Sequence, residues 1–144
     1  LPFALAAFAS AAQAEIRAGA TVSATGAGAS LGVHYKNTYE MLPKTLGGEP
    51  VTWIVLDDGS DPSTAVRNAR KLVTEEKVDV LVGGTITPTS LAITAVAAES
   101  ETPQLAMAPI DIPQDKYKWV FVVPQSVPMM VEGIVEHMKK NGVK

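Results

Sequence analysis

The strongest constraint on the fold is a regular alternation of short apolar segments with longer amphipathic ones. The apolar segments have the length and composition of strands, and the amphipathic ones have helical spacing. The five predicted strands are 16–25, 51–56, 78–83, 103–108 and 119–123. Because the connections between successive segments are short, the pattern predicts an α/β fold in which a parallel sheet carries helices on both faces.

Two of the predicted helices have clear end signals. The second begins at Asp61, a preferred N-cap residue, with Pro62 in the first helical position. The third is predicted to begin at Thr87 as its cap, again with a proline next, and to run through "TPTSLAITAVAAES". The buried stripe of the second helix is predicted to be Val66, Ala69, Leu72 and Val73.

The first and last helices are predicted from their apolar stripes. The first is expected to end at Gly47 and Gly48, as a helix with a glycine C-cap does, and the last at Gly142. The stripe of the first helix is Leu31, Tyr35, Tyr39, Leu42 and Leu46. The inward-facing residues of the last are Met130, Val131, Ile134, Val135 and Met138. The strand 51–56 is continuously apolar, which predicts burial on both faces.

The N-terminal segment 1–14 differs from the rest of the chain. A short apolar run is followed by Ala12-Gln13-Ala14, the small-residue cleavage pattern of a secretory signal peptide. We therefore expect an exported, periplasmic protein whose mature part begins near Glu15; an alanine-rich N-terminal helix is the alternative. The run is too short to span a bilayer.

Composition and residue spacing exclude several function classes. The net charge of −3 is carried by scattered residues, so no basic surface for nucleic acid is expected. His34 and His137 have no metal-ligand partner at useful spacing, and the chain has no cysteine. No nucleophile, base and acid can be combined into a catalytic arrangement. We expect neither an enzyme nor a resident metal or cofactor.

A cluster of hydroxyl side chains follows the strand 78–83, where the chain passes into the third helix. It comprises Thr85, Thr87, Thr89 and Ser90. In a parallel sheet, ligands bind at the carboxyl ends of the strands, where loops and helix starts converge. These hydroxyls either cap the helix or, together with its free N–H groups and about half a positive charge, hold an anion such as a carboxylate.

A dinucleotide site is one interpretation of the same edge of the sheet. The glycine-rich turn "TGAGASLG" follows a strand and opens a helix, and Asp57 and Asp58 end the next strand, where an acid could hold a ribose. This would make the chain an NAD(P)-dependent oxidoreductase of the short-chain dehydrogenase type. However, Ser30 stands where that pattern needs glycine, and the chain has no Tyr-x-x-x-Lys pair.

The pattern as a whole resembles the leucine/isoleucine/valine-type periplasmic binding proteins, the solute-binding components of ABC importers. The most specific match is "DDGSDPSTAV" followed by "ARKLV" and "VDVLVG"; the resemblance extends from Ile16 to Lys144. It implies the Rossmann-like first lobe of a type I periplasmic binding fold over 15–124. The segment 125–144 would be a crossover helix that begins a second lobe. A membrane permease is the implied partner, and a small carboxylate-bearing solute is the implied ligand.

The resemblance also implies which residues contact the solute. Thr87 would hold the carboxylate, main-chain groups of Ala108 would contact the ligand, and Ser30 and Leu31 would line the pocket from the first-helix loop. Amino-acid-binding relatives place a hydroxyl at the position of Ile110, where it accepts a hydrogen bond from the ligand ammonium. Because Ile110 accepts none, we favour an aromatic or aliphatic acid without an α-amino group.

Members of this family are more than twice as long as this sequence and have two lobes. A chain that carries only part of them is expected to expose apolar surface and strand edges. We therefore expect a homodimer or larger oligomer, formed through exposed edges or by exchange of the terminal helix.

Overall fold

The computed structural model describes residues 15–113 and 115–143 as one six-stranded sheet with helices on both faces. The predicted signal peptide lies outside the described residues. The strands are β1 (Ile16–Val22), β2 (Thr45–Leu46), β3 (Glu49–Asp57), β4 (Val80–Gly83), β5 (Gln104–Ala106) and β6 (Val120–Val122). The helices are α1 (Ala29–Met41), α2 (Pro62–Thr74), α3 (Thr87–Ala92), α4 (Thr94–Glu99) and α5 (Val127–Lys140).

The strand order in the sheet is β2-β3-β1-β4-β5-β6. All neighbouring strands are parallel except β2, which pairs antiparallel with β3. The predicted α/β class with a parallel sheet is therefore confirmed. The order reverses beside β1, because the chain goes from β1 to one side and then returns to the other. Loops at the carboxyl ends of the strands separate at such a reversal and leave room for a ligand.

Two apolar clusters fill the two sides of the sheet. Leu81 belongs to the cluster that α2, α3 and α4 cover, whereas Val82 belongs to the cluster beside α1. Successive residues of a strand point to opposite faces, so these two assignments define the two sides. The larger cluster centres on the fully buried residues Ala65, Ala69, Leu72, Ile93, Ala97 and Ala106.

The structure confirms the second helix and its cap. The side chain of Asp61 accepts a 2.7 Å hydrogen bond from the backbone N–H of Thr64, and Pro62 opens α2. Of the predicted buried stripe, Ala69 and Leu72 are fully buried. Val66 and Val73 pack against the same cluster while remaining partly exposed.

The predicted end of the first helix is wrong. Helix α1 ends at Met41, because Pro43 cannot continue a helix and disfavours helical conformation in the residue before it. Leu46 lies in β2 and is exposed, so it does not extend the stripe. Gly47 and Gly48 form the two-residue turn between β2 and β3, with φ values of +59° and +92°. A Gly-Gly pair is typical of such a hairpin as well as of a helix C-cap.

The predicted third helix is interrupted, and its cap is different. Ile86, not Thr87, occupies the N-cap position of α3, and α3 has only six residues. Ile93 separates α3 from α4. The hydroxyl of Thr94 donates to the carbonyl of Leu91 at 2.8 Å. Local bonds from hydroxyl side chains to the backbone compete in this way with the hydrogen bonds of a helix.

Strand β3 and helix α5 are more exposed than the sequence predicts. In β3, Val51 is buried, but the other residues of the predicted strand are only partly buried. The inward orientation of α5 is wrong: Met130, Val131, Ile134, Val135 and Met138 are 38–60% exposed. The helix ends before Gly142, which has a φ of +66°. Among the described residues, no helix has the length and apolar composition needed to cross a membrane.

Candidate functional site

The loops that follow β1, β3, β4 and β5 are joined to one another at the carboxyl edge of the sheet. The backbone N–H of Ser23 donates to the hydroxyl of Thr85 at 3.1 Å, which joins the loops after β1 and β4. The hydroxyl of Thr87 donates to the carbonyl of Pro109 at 3.1 Å, which joins the loops after β4 and β5. We refer to these four loops as the rim. Their mutual hydrogen bonds give the rim one defined surface.

A buried carboxylate joins the loops after β1 and β3. Asp58 is 1% exposed and accepts hydrogen bonds from the hydroxyls of Thr21 at 3.2 Å and Ser23 at 2.8 Å. The backbone N–H of Ser60 donates a third, at 2.8 Å. Hydrogen bonds to a charged acceptor are about twice as strong as neutral ones, which offsets the cost of burying the charge. Asp58 therefore acts inside the protein and not toward a ligand.

Its neighbour Asp57 is exposed and also accepts hydrogen bonds within the rim. Its donors are the hydroxyl of Thr25 at 2.7 Å and the N–H groups of Gly59 at 2.9 Å and Thr25 at 3.2 Å. Partial desolvation raises the pKa of Asp57, but the hydrogen bonds from Gly59 and Thr25 outweigh it, and the net pKa lies below the ordinary value. This side chain stays ionised at neutral pH and fixes the turn that follows β3.

The hydroxyl cluster after β4 has mainly internal partners. Thr85 accepts from Ser23, and Thr89 donates to the carbonyl of Ile86 at 3.1 Å. Ser90 is fully buried, and its hydroxyl has no partner among the described residues. Thr87 alone in this cluster is exposed. Its hydroxyl donates to the carbonyl of Pro109, and rotation of the hydroxyl would let it donate to another acceptor instead.

The residues predicted to contact a solute lie in the rim or in the first turn of a helix that follows it, but they differ in exposure. Ser30 lies in the first turn of α1 and is exposed, and Leu31 is 53% exposed. Thr87 is exposed at the start of α3, while Ala108 is 2% exposed in the loop after β5. The structure joins Thr87 to the loop that contains Ala108 through Pro109. The assignment of these residues to a ligand stays a prediction.

Ile110 lies in the same loop but packs into the larger apolar cluster. It is 8% exposed and has Ile112 and Tyr117 among the partly buried side chains around that cluster. Its side chain presents little surface at the rim and offers no hydrogen-bonding group. The sequence suggested Asp58 only as a ribose-binding acid of a dinucleotide site and did not predict its internal network with Ser23 and Ser60. The feature of the sequence that indicates this network is the pair of adjacent acids at the end of an apolar strand, followed by a glycine and a serine.

The glycine-rich turn after β1 uses its N–H groups within the protein. The N–H of Gly28 donates to the hydroxyl of Ser60 at 2.8 Å, and that hydroxyl donates to the carbonyl of Thr25 at 2.7 Å. A pyrophosphate would need such backbone N–H groups to be free. A Cβ built at Gly28 would lie 3.0 Å from a methyl carbon of Ile86, so this turn also contacts the start of α3.

The fold and the rim define an α/β domain of the kind that binds ligands at the carboxyl edge of a parallel sheet. A family model described as periplasmic binding protein matches residues 15–144. The chain therefore belongs to the periplasmic binding protein family, whose members are exported solute-binding proteins. A comparison with curated proteins found no match.

Solved structures agree with this assignment. An extracellular ligand-binding receptor from Rhodopseudomonas palustris HaA2 is 45% identical, with a TM-score of 0.85 over 89% of this chain and 36% of its own. A solute-binding protein of an ABC transporter from R. palustris BisB5, solved in complex with 3,4-dihydroxybenzoic acid, is 28% identical. Its TM-score is 0.67 over 74% of this chain and 31% of its own. A leucine-binding protein, LivK, from Thermotoga maritima shares the fold at 23% identity, with a TM-score of 0.76 over 88% of this chain and 37% of its own. The chain thus spans about a third of each of these relatives.

Proposed function

We propose that this chain forms one half of the solute site of an exported binding protein that delivers its solute to the permease of an ABC importer. The observation that carries the proposal is the rim, in which the loops after β1, β4 and β5 are joined while Thr87 and Ser30 remain exposed. Membership of the periplasmic binding protein family and the relatives' titles support the same role. In this role the protein binds and releases a solute without changing it.

We further propose that the solute is a small carboxylic acid without an α-amino group, and that an aromatic acid is the favoured class. Thr87 and Ser30 are exposed hydroxyl groups that can donate hydrogen bonds to a carboxylate. Ile110, in the loop after β5, offers no side-chain acceptor for a ligand ammonium, and the carboxylate of Asp58 accepts from internal donors. The relative that was solved with 3,4-dihydroxybenzoic acid supports the aromatic class.

The anion would be held by the hydroxyl and main-chain groups of the rim more than by a helix dipole. Helix α3 has only six residues, so it aligns fewer peptide dipoles than the longer helix that the sequence predicts. A ligand bound to half a site is also exposed to water on its other side. We therefore expect weak binding by this chain, with dissociation constants of about 1 mM or higher.

An NMR titration of the chain labelled with ¹⁵N tests this proposal, because it detects weak binding and locates it. We expect 3,4-dihydroxybenzoate and benzoate to shift the amide signals of Thr87, Ala108 and Ser30. Leucine should shift them less, because Ile110 provides no side-chain acceptor for its ammonium. Shifts caused by NADH and by no acid would contradict the proposal and favour a dinucleotide site. Acid-induced shifts confined to residues far from the rim would also contradict it.

A further inference from the structure

One fully buried amide side chain is bonded to both ends of the segment that carries the hydroxyl cluster. Gln104 opens β5, and its Nε2 donates to the carbonyl of Gly83 and to the carbonyl of Ser90, each at 3.1 Å. Gly83 ends β4, and Ser90 lies in α3. We call the residues between them, 84–89, the threonine segment, since it contains three threonines, of which Thr87 is exposed. The amide therefore joins the two ends of this segment to the strand beside it.

This position requires a side chain with two donors on one atom. Both partners of Gln104 are carbonyl oxygens, so its amide must present the nitrogen to them, and the two hydrogens of that nitrogen serve one carbonyl each. The last four carbonyls of a helix have no partner within it, and Ser90 is among the last four residues of α3. A glutamate of the same length would carry at most one proton, and an apolar side chain would donate nothing. Glutamine thus satisfies a carbonyl that the early end of α3 leaves free, together with one at the end of β4.

The threonine segment has little local support of its own. Helix α3 has six residues, and Ile86 at its N-cap position makes no capping hydrogen bond. A helix this short is not stable by itself, so its position is set by contacts with other parts of the chain. On the outer side, the hydroxyls of Thr85 and Thr87 bond to the loops after β1 and β5. Gln104 provides the hydrogen bonds from the interior.

We propose that Gln104 is the positioning residue that holds Thr87 where it can donate to the solute carboxylate. Gln104 is 0% exposed, so it acts through the threonine segment and not by touching the solute. It also opens β5, the strand that leads into the loop of Ala108. One side chain thereby fixes the loop after β4 relative to the loop after β5, and these two loops carry Thr87 and Ala108. This inference rests on the proposed function and adds to it an interior residue on which the affinity depends.

A comparison of Gln104→Met with Val120→Ala separates positioning from stability. Methionine has nearly the length and shape of glutamine, so Gln104→Met removes both hydrogen bonds with little change of volume. Val120 is the neighbour of Gln104 in the register of β5 and β6, is 1% exposed and has no hydrogen-bonding side chain. Val120→Ala therefore destabilises the larger apolar cluster through a cavity and leaves the threonine segment bonded to Gln104.

Hydrogen exchange of two backbone amides, followed by NMR, tests the contact without a ligand. The N–H of Ser90 donates to the carbonyl of Ile86 in the first turn of α3, and the N–H of Leu81 donates from β4 to the residue before β5. We expect Gln104→Met to lower the protection of Ser90 relative to that of Leu81 by about tenfold. Val120→Ala should leave this ratio unchanged, because a global loss of stability affects both amides alike. An unchanged ratio in Gln104→Met would overturn the proposal.

Titration of the same proteins with 3,4-dihydroxybenzoate tests the role in binding. We expect the dissociation constant to rise by about fivefold or more in Gln104→Met and to stay at the wild-type value in Val120→Ala. A wild type that binds no acid contradicts the proposed function, and this inference with it. A wild type that binds while Gln104→Met binds equally well overturns this inference alone. If Gln104→Met is unfolded in buffer, all three proteins are measured with trimethylamine N-oxide, which favours the compact state, and the same outcomes decide.

Discussion

The hydroxyl of Ser23 donates a 2.8 Å hydrogen bond to Oδ1 of Asp58, and both side chains are buried. This bond fixes the loop after β1 relative to the loop after β3. Because Thr21 and the N–H of Ser60 donate to the same carboxylate, Asp58 organises one side of the rim from inside the protein. The exposed groups of the rim keep their positions partly because this interior network holds the loops beneath them.

Replacing the buried carboxylate should therefore destabilise the whole domain. Asp58→Ala leaves two hydroxyls and one backbone N–H without their acceptor, and we expect the free energy of unfolding to fall by about 3 kcal/mol. Urea denaturation measures this change. Asp111→Ala, at an exposed aspartate, serves as the control and should change stability by no more than about 0.5 kcal/mol. Equal stability of the two variants would contradict the role of Asp58.

Two glycines in helices should respond oppositely to the same substitution. A Cβ at Gly32 in α1 would collide with the backbone of Ser23, so Gly32→Ala must displace α1 from the rim. We expect it to lower the free energy of unfolding by about 2 kcal/mol. Gly133 in α5 has open space around it, and Gly133→Ala should leave stability unchanged or raise it by up to about 1 kcal/mol. Thermal unfolding followed by circular dichroism compares the two, and unchanged stability in Gly32→Ala would show that α1 is not closely packed there.

The parts of this fold that the sequence predicts well depend on local signals. The strands could be placed because apolar runs and strand spacing need no knowledge of distant residues. The start of α2 could be placed because Asp61 and Pro62 provide a cap and a fixed φ at adjacent positions. The order of the elements then implied the parallel sheet, and with it the edge at which the rim forms.

The features that the sequence predicts poorly depend on contacts between distant segments. Gly47 and Gly48 suit both a helix end and a hairpin turn, and the pairing of β2 with β3 decides between them. Threonine is a common N-cap residue, yet the hydroxyl of Thr87 donates to the carbonyl of Pro109 in another loop. The apolar stripe of α5 correctly predicts a helix. The spacing of its residues does not show whether the stripe packs against this sheet, and in the structure it is exposed.

The cap of α2 should make stability depend on pH in the acid range. The side-chain and backbone hydrogen bonds from Thr64 lower the pKa of Asp61 in the folded chain. Above the ordinary aspartate pKa both states are ionised and the cap contributes fully. As the pH falls through the range between the unfolded and folded pKa values, the unfolded chain takes up the proton first, so this contribution is lost.

Asp61→Asn tests this dependence, because the amide oxygen can still accept from the backbone of Thr64 but does not titrate. We expect Asp61→Asn to retain α2 at neutral pH and to lose less stability than the wild type between pH 5 and pH 2, a window set by the ordinary aspartate pKa of about 3.9. Asp57 has a lowered pKa of its own and continues to titrate in both proteins. Denaturation by urea across this pH range gives the comparison. Identical acid dependence in the two proteins would exclude the cap as a source.

Substitution of Thr87 separates the structural and the ligand-binding roles of its hydroxyl. Thr87→Val keeps the shape of the side chain and removes the bond to Pro109. Because the site is exposed, we expect stability to fall by no more than about 1 kcal/mol. If the hydroxyl also holds the solute carboxylate, the dissociation constant for 3,4-dihydroxybenzoate should rise by about tenfold, whereas Thr87→Ser should bind almost as the wild type does. NMR titration of the three proteins measures the binding, and urea denaturation of the same proteins measures the stability. Unchanged binding in Thr87→Val would leave the hydroxyl with only its structural bond to the loop after β5.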